Sequence, residues 1–182
     1  MESAENQFRV SRRPADINED YRWRIRRVKA GERLKLMILS TDIFGVEMHY
    51  WGGNSMPCML KNCPACKAGN ESRWYGYVLA VETSKRKHVI WEMTPPAVPP
   101  LDDAFKQYKT MRGLLVIAWR FNDKDKGRIE TEVKGITVPD DTCSEAFTVW
   151  DPLARIWRLK KHMIVHVAAK NFDELSEYQK AG

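Results

Sequence analysis

One histidine and three cysteines fall within eighteen residues: His49, Cys58, Cys63 and Cys66. Cys63-Pro64-Ala65-Cys66 is the tight spacing that turns two thiolates toward one ion. Cys58 and His49 complete a set of four soft nitrogen and sulfur donors, which suits tetrahedral zinc. Four protein ligands leave no open coordination position, so the expected role of the metal is scaffolding rather than catalysis. Two other readings use the same residues: a redox Cys-x-x-Cys pair, and unliganded thiols. Cys143 competes with His49 for the fourth place and otherwise reads as a small core residue, while His88 is a weaker competitor.

Compartment bears on that choice. Met1 to Gln7 is acidic and polar and lacks the apolar segment of a secretion signal. No apolar run approaches the ~20 residues that a membrane-spanning helix needs. The expectation is a cytoplasmic chain, where clustered cysteines more often bind metal than each other.

The 182 residues suffice for one domain with a real core, and 43% are hydrophobic. The net charge of +6 favours a polyanionic partner. Seven tryptophans interleaved with Lys and Arg are the mixture that grips nucleic acid by phosphate contact and base stacking. Enzymatic signatures are missing. A zinc deaminase needs H-x-E ahead of P-C-x-x-C, whereas here the order is Glu47-Met48-His49. There is no G-x-S-x-G, P-loop or H-E-x-x-H. Asp102-Asp103 fits a helix start and Asp140-Asp141 a loop. A binding protein is expected rather than an enzyme, with a Mg-dependent nuclease built from scattered carboxylates as the enzymatic alternative.

The elements that must position these residues are mostly strands. Residues 1 to 20 read as a basic and polar arm, 21 to 170 as one domain, and 171 to 182 as a tail. Tyr21 to Lys29 alternates, with Arg22, Arg24 and Arg26 on one face and Tyr21, Trp23, Ile25 and Arg27 on the other. Leu34 to Leu39 and Phe44 to Trp51 follow as strands, the second delivering His49 to a metal subdomain at about 46–70. Arg73 to Val81 and Lys87 to Met93 form a hairpin tipped by Lys85, Arg86 and Lys87. Leu101, Ala104, Phe105 and Tyr108 have helical spacing, with Gly113 suited to the helix end. Leu114 to Phe121 and Arg128 to Val133 make a second hairpin around Asn122 to Gly127. Asp151-Pro152 starts a short helix, and Met163 to Ala168 closes the body as a strand. Hairpins rather than alternating helices predict a mainly β, antiparallel fold with two or three short helices. A small closed or partly open barrel would bury such strands without bare edges.

The order His49, Cys58, Cys63-Pro64-Ala65-Cys66, followed by Arg73-Trp74-Tyr75-Gly76-Tyr77-Val78-Leu79-Ala80-Val81, resembles the single-stranded DNA-binding (helix-destabilising) proteins of tailed phages. The resemblance covers about residues 40 to 135 and implies an OB-fold with an inserted His-Cys-Cys-Cys zinc subdomain. It also implies sequence-independent coating of single-stranded DNA in replication or recombination, with self-association and replication proteins as further partners. On this reading Arg22, Arg24, Arg26, Arg73, Lys85, Arg86, Lys87 and Arg120 contact phosphates. Tyr50, Trp51, Tyr75, Tyr77 and Trp91 stack on bases. Alternation on Arg73 to Val81 leaves Trp74 as an exposed ring if the tyrosine face is core, with Gly76 making room for a base, while Trp119 and Trp157 read as core. A zinc-stabilised adaptor docking an acidic partner and an RNA-binding module are the alternatives.

Overall fold

A computed structural model describes residues 23–121, 128–137, 149–159 and 170–175. The strands are β1 (Ile25–Arg26), β2 (Arg33–Ile38), β3 (Phe44–Trp51), β4 (Asn54–Pro57), β5 (Arg73–Glu82), β6 (Lys87–Met93), β7 (Leu114–Trp119) and β8 (Glu130–Ile136). Among the described residues three short helices join them: α1 (Pro64–Lys67), α2 (Pro99–Tyr108) and α3 (Trp150–Ile156). The fold is mainly β, as the hairpin pattern predicts. Two features differ from expectation. The sheet is mixed, because β1 runs parallel to β6. It also does not close into a barrel: its order is β1-β6-β5-β2-β7-β8, with β3 joined to β5 and β4. Among the described residues the terminal strands of this order, β1 and β8, are not paired with each other, so the sheet keeps two edges.

The edge of β5 opposite β6 is shared. β2 pairs with its C-terminal part through Met37–Val81, and β3 with its N-terminal part through Phe44–Tyr77. Between these stretches Leu39 N donates to Leu79 O at 2.8 Å, and Leu79 N donates to Ser40 Oγ at 2.7 Å. β2 and β3 therefore act as one bent strand along β5.

Both faces of β5 are buried, which is why its sequence is almost continuously apolar. Trp74, Val78 and Ala80 enter one core with Leu34, Leu36, Trp91, Val116 and the α2 residues Leu101 and Ala104. Tyr77 and Leu79 enter another with Val46, Met48, Ile90 and, from α3, Leu153. Fully burying one such large apolar side chain contributes about 1.5–3 kcal/mol. Single-face alternation thus fails for this strand: Trp74 is core, not an exposed ring. Its indole Nε1 donates to Lys170 O at 2.8 Å, and its ring meets Phe172 edge-on. Phe172 and Leu175 pack against the same core, so this part of the expected tail belongs to the body.

Local expectations hold closely for β3, β5, β6 and α2. The C-terminal cap of α2 is Lys109, left-handed at φ 59°, rather than Gly113. The hairpin β3–β4 went unread in sequence, whereas the tight turn expected at Cys63-Pro64-Ala65-Cys66 is the single helical turn α1. The arm 1–20, the turn Asn122 to Gly127, Cys143 and the run Met163 to Ala168 lie outside the described residues. Among the described residues, no helix is long and apolar enough to cross a membrane.

Gly45 on β3 is tightly enclosed by this packing. A Cβ there would meet the Lys170 carbonyl oxygen and the Trp74 indole. Gly45→Ala should destabilise the protein by about 1–3 kcal/mol through overpacking, read as a lowered thermal midpoint. An unchanged melt would contradict this packing.

Candidate metal centre and nucleic-acid interface

β3 runs out of the main sheet and folds back as β4 through Gly52 and Gly53. Both glycines have positive φ, 57° and 82°, as a two-residue hairpin turn of right-handed twist requires. His49 stands opposite Met56 on this hairpin. Cys58 follows directly, its N–H donating to Glu47 O at 2.8 Å and extending the ladder. A 3-10 turn, Leu60–Asn62, then leads to Cys63, which precedes α1 with Pro64 at its first position. One helical turn places Cys66 beside Cys63, since residues three apart share a face.

The four ligand atoms of His49, Cys58, Cys63 and Cys66 all lie within 4.8 Å of one another, so the quartet can hold a metal ion. Cys66 Sγ is 3.2 Å from His49 Nε2 and 3.5 Å from Cys58 Sγ. The outer nitrogen, His49 Nδ1, lies 3.2 Å from Glu71 O and 3.3 Å from Asn70 Oδ1. A carbonyl only accepts, so Nδ1 carries the proton and Nε2 turns its lone pair toward the sulfurs. Such an outer partner fixes the tautomer and aims the ring of a ligating histidine. His49, Cys58 and Cys63 are buried and Cys66 is exposed.

The thiols are unlike one another. Burial raises Cys63, but backbone hydrogen bonds from Met59, Cys66 and Ala65 outweigh it and bring this thiol down to about 7. Hydrogen bonding to Cys58 and then burial push Cys66 up to about 12. One thiolate thus makes the next costly, and a divalent cation is the charge that would let all three ionise together. Beyond the ligands, the hydrophobic cluster of this module holds just Met59 and Ala65 among the described residues, with Leu159 packed alongside. So small a core cannot order the loop alone, and ligation energy would become folding energy.

The expected nucleic-acid contacts divide sharply. Tyr50 and Trp51, at the hairpin tip, are 70% and 40% exposed. Tyr75 is half-buried. Tyr77 and Trp91 are fully buried, and Tyr77 Oη donates to Glu92 at 3.0 Å, so neither ring can take a base. Burial and then the Glu92 charge raise the Tyr77 phenol well above its ordinary range.

The basic residues divide in the same way. Arg24, Arg73, Arg86 and Lys87 are exposed, Arg120 is half-buried, and Arg22 lies outside the described residues. Arg26 is held by Glu32 and by Glu82, the latter at 3.3 Å, so it is a counter-ion within the fold rather than a phosphate contact. Lys85 pairs with Glu82 at 2.6 Å and is likewise engaged. Arg27 grips Glu92 at 2.6 and 3.1 Å. Glu82 and Glu92 are buried, and a buried carboxylate without a partner is costly, which is what diverts these cations. Phe121, 62% exposed beside Trp119, is the aromatic that strand alternation missed, because it lies just past the end of β7. His88 packs edge-on against Trp23, away from the quartet.

Comparisons with protein families, with curated proteins and with solved structures return no match.

Purified protein should carry one divalent metal per chain by elemental analysis. Cys63→Ser should release it and lower the melting midpoint. Asn70→Ala should keep the ligands but weaken metal affinity about 10–100-fold in a chelator competition. Equal metal content and melting for Cys63→Ser and the parent would rule out this centre.

Proposed function

We propose that the protein binds single-stranded DNA without sequence preference, and that its quartet holds a structural zinc ion. One imidazole and three thiolates are a soft, closed donor set, which favours zinc over Mg or Ca. The observation that carries the reading is the hairpin tip. Tyr50 and Trp51 are exposed one and two residues after the ligand His49, on a turn anchored by that site. Rings held out in water lose apolar burial, and stacking on bases recovers it with little regard to base identity.

The strand path supports an OB-like reading. Counting β2 and β3 as one bent strand, the sequence of strands is β2/β3, β5, β6, β7, β8, with β7 returning to pair with β2. The metal module then lies between the first and second strands, one of the loops with which OB-folds bind oligonucleotides. Arg73 and the Arg86–Lys87 turn supply exposed cations at the two ends of β5. The N-terminal arm and self-association along DNA belong to the same proposal.

Fluorescence anisotropy of labelled oligo(dT) at two salt concentrations, with duplex DNA as competitor, tests this. Binding should fall with salt at a log–log slope of about −0.7 per phosphate neutralised, and duplex should compete poorly. Tyr50→Ala with Trp51→Ala should weaken binding by about 1–3 kcal/mol per lost stack while leaving the melt unchanged. Failure of the parent protein to bind at low salt would overturn the reading.

A further inference from the structure

The sheet face opposite the α2 core is covered only in part. α3 packs over Val46, Met48, Tyr77 and Leu79, which places β5 and β6 out of reach there. Further along, at the β2–β7 pairing, the same face carries exposed and half-buried residues. Arg33 and Lys35 are exposed, while Leu115, Ile117 and Trp119 are half-buried. Register sets Arg33 directly across from Trp119, and Lys35 across from Ile117. The Arg33 guanidinium lies 5.8 Å from the centre of the Trp119 ring. Phe121 meets that ring edge-on at 6.4 Å and is itself 62% exposed.

This ledge is firmly placed. Gly31 N donates to Arg120 O at 2.8 Å and Arg120 N to Glu32 O at 3.3 Å, extending the β2–β7 ladder to the residue before Phe121. Thr83 N donates to Lys35 O at 3.0 Å, which brings the β5–β6 turn alongside. Arg86 and Lys87 of that turn are exposed and make no ion pair among the described residues. On the opposite flank β8 offers Glu130 and Glu132, paired with Arg128 and Lys134. Among the described residues, the cations beside β8 are thus paired, whereas Arg86 and Lys87 on the β5–β6 side are not.

We propose that Arg33, Trp119 and Phe121 form a second base-stacking ledge, with Lys35, Arg86 and Lys87 taking the phosphates of the same DNA strand. The inference rests on the single-strand-binding reading and adds where the strand runs. An exposed ring, a guanidinium over an indole and unpaired cations on one flank are the components that hold single strands. The two platforms sit at opposite ends of the bent β2–β3 strand, so their contributions are independent and their losses multiply.

The test uses the full chain, oligo(dT) anisotropy, and photo-crosslinking with oligonucleotides carrying 5-iododeoxyuridine, mapped by mass spectrometry. Phe121→Ala, at an exposed position, should melt like the parent and bind about 5- to 150-fold more weakly, the loss of one stacked base. Arg33→Gln combined with Phe121→Ala should weaken binding further, and crosslinks should fall on the Trp119–Phe121 segment as well as on Tyr50–Trp51. Parent-like binding by both variants, with crosslinks confined to Tyr50–Trp51, would overturn the ledge and leave the function standing. A parent protein that binds no oligo(dT) would overturn the function, and the ledge with it.

Discussion

Every other strand is placed by the way β5 is enclosed. One edge is paired with β6 along most of its length, the other is divided between β2 and β3, and both faces are covered. A strand with no solvated face has no room for a ligand, so Trp74 and Tyr77 serve packing. Enclosure also sets the electrostatics. Glu82 at the end of β5 and Glu92 on β6 are buried. Each needs a cation within reach, and Arg26, Arg27 and Lys85 supply it. For Glu82, burial alone would raise the carboxyl, but the Lys85 and Arg26 contacts outweigh it and hold it below its ordinary range. This pairing contributes stability above the unfolded-state value that is lost as pH falls through the lowered one. Basic residues that look like a nucleic-acid footprint are thus partly an internal requirement of the sheet.

Exposed aromatic rings are displaced to the ends of the sheet for the same reason. At one end β3 leaves β5 and becomes the root of the metal hairpin, so rigidity at His49 is continuous with the main core through Val46 and Met48. At the other end β2 and β7 carry Arg33, Trp119 and Phe121 past the cover of α3. The two ends differ in what holds them. The Trp119–Phe121 segment is held by ladder hydrogen bonds, whereas the hairpin tip adjoins the His49, Cys58, Cys63 and Cys66 quartet and a very small apolar core.

Much was legible in sequence where the signal is local. The ligand quartet was readable because coordination chemistry restricts both residue type and spacing, and a Cys-x-x-Cys turn brings its two sulfurs together without distant help. Phe44–Trp51, Arg73–Glu82 and Lys87–Met93 were readable because β-branched and aromatic runs bounded by turns favour strands whatever lies around them. The apolar spacing of Leu101 and Ala104 likewise placed α2 against a core.

The tertiary structure alone decided which residues of those elements meet solvent. Alternation can show that Trp74 and Tyr77 point to opposite faces, but not that α2 and α3 cover both. Charge counts can show an excess of arginine, but not that Glu82 and Glu92, 56 and 65 residues away from Arg26 and Arg27, have claimed two of them. The parallel β1–β6 pairing was equally unreadable. Ligand chemistry and strand propensity are properties of neighbouring residues, so the sequence by itself determined them. Burial, register and counter-ion choice are settled between segments far apart in the chain, and only folding brings those together.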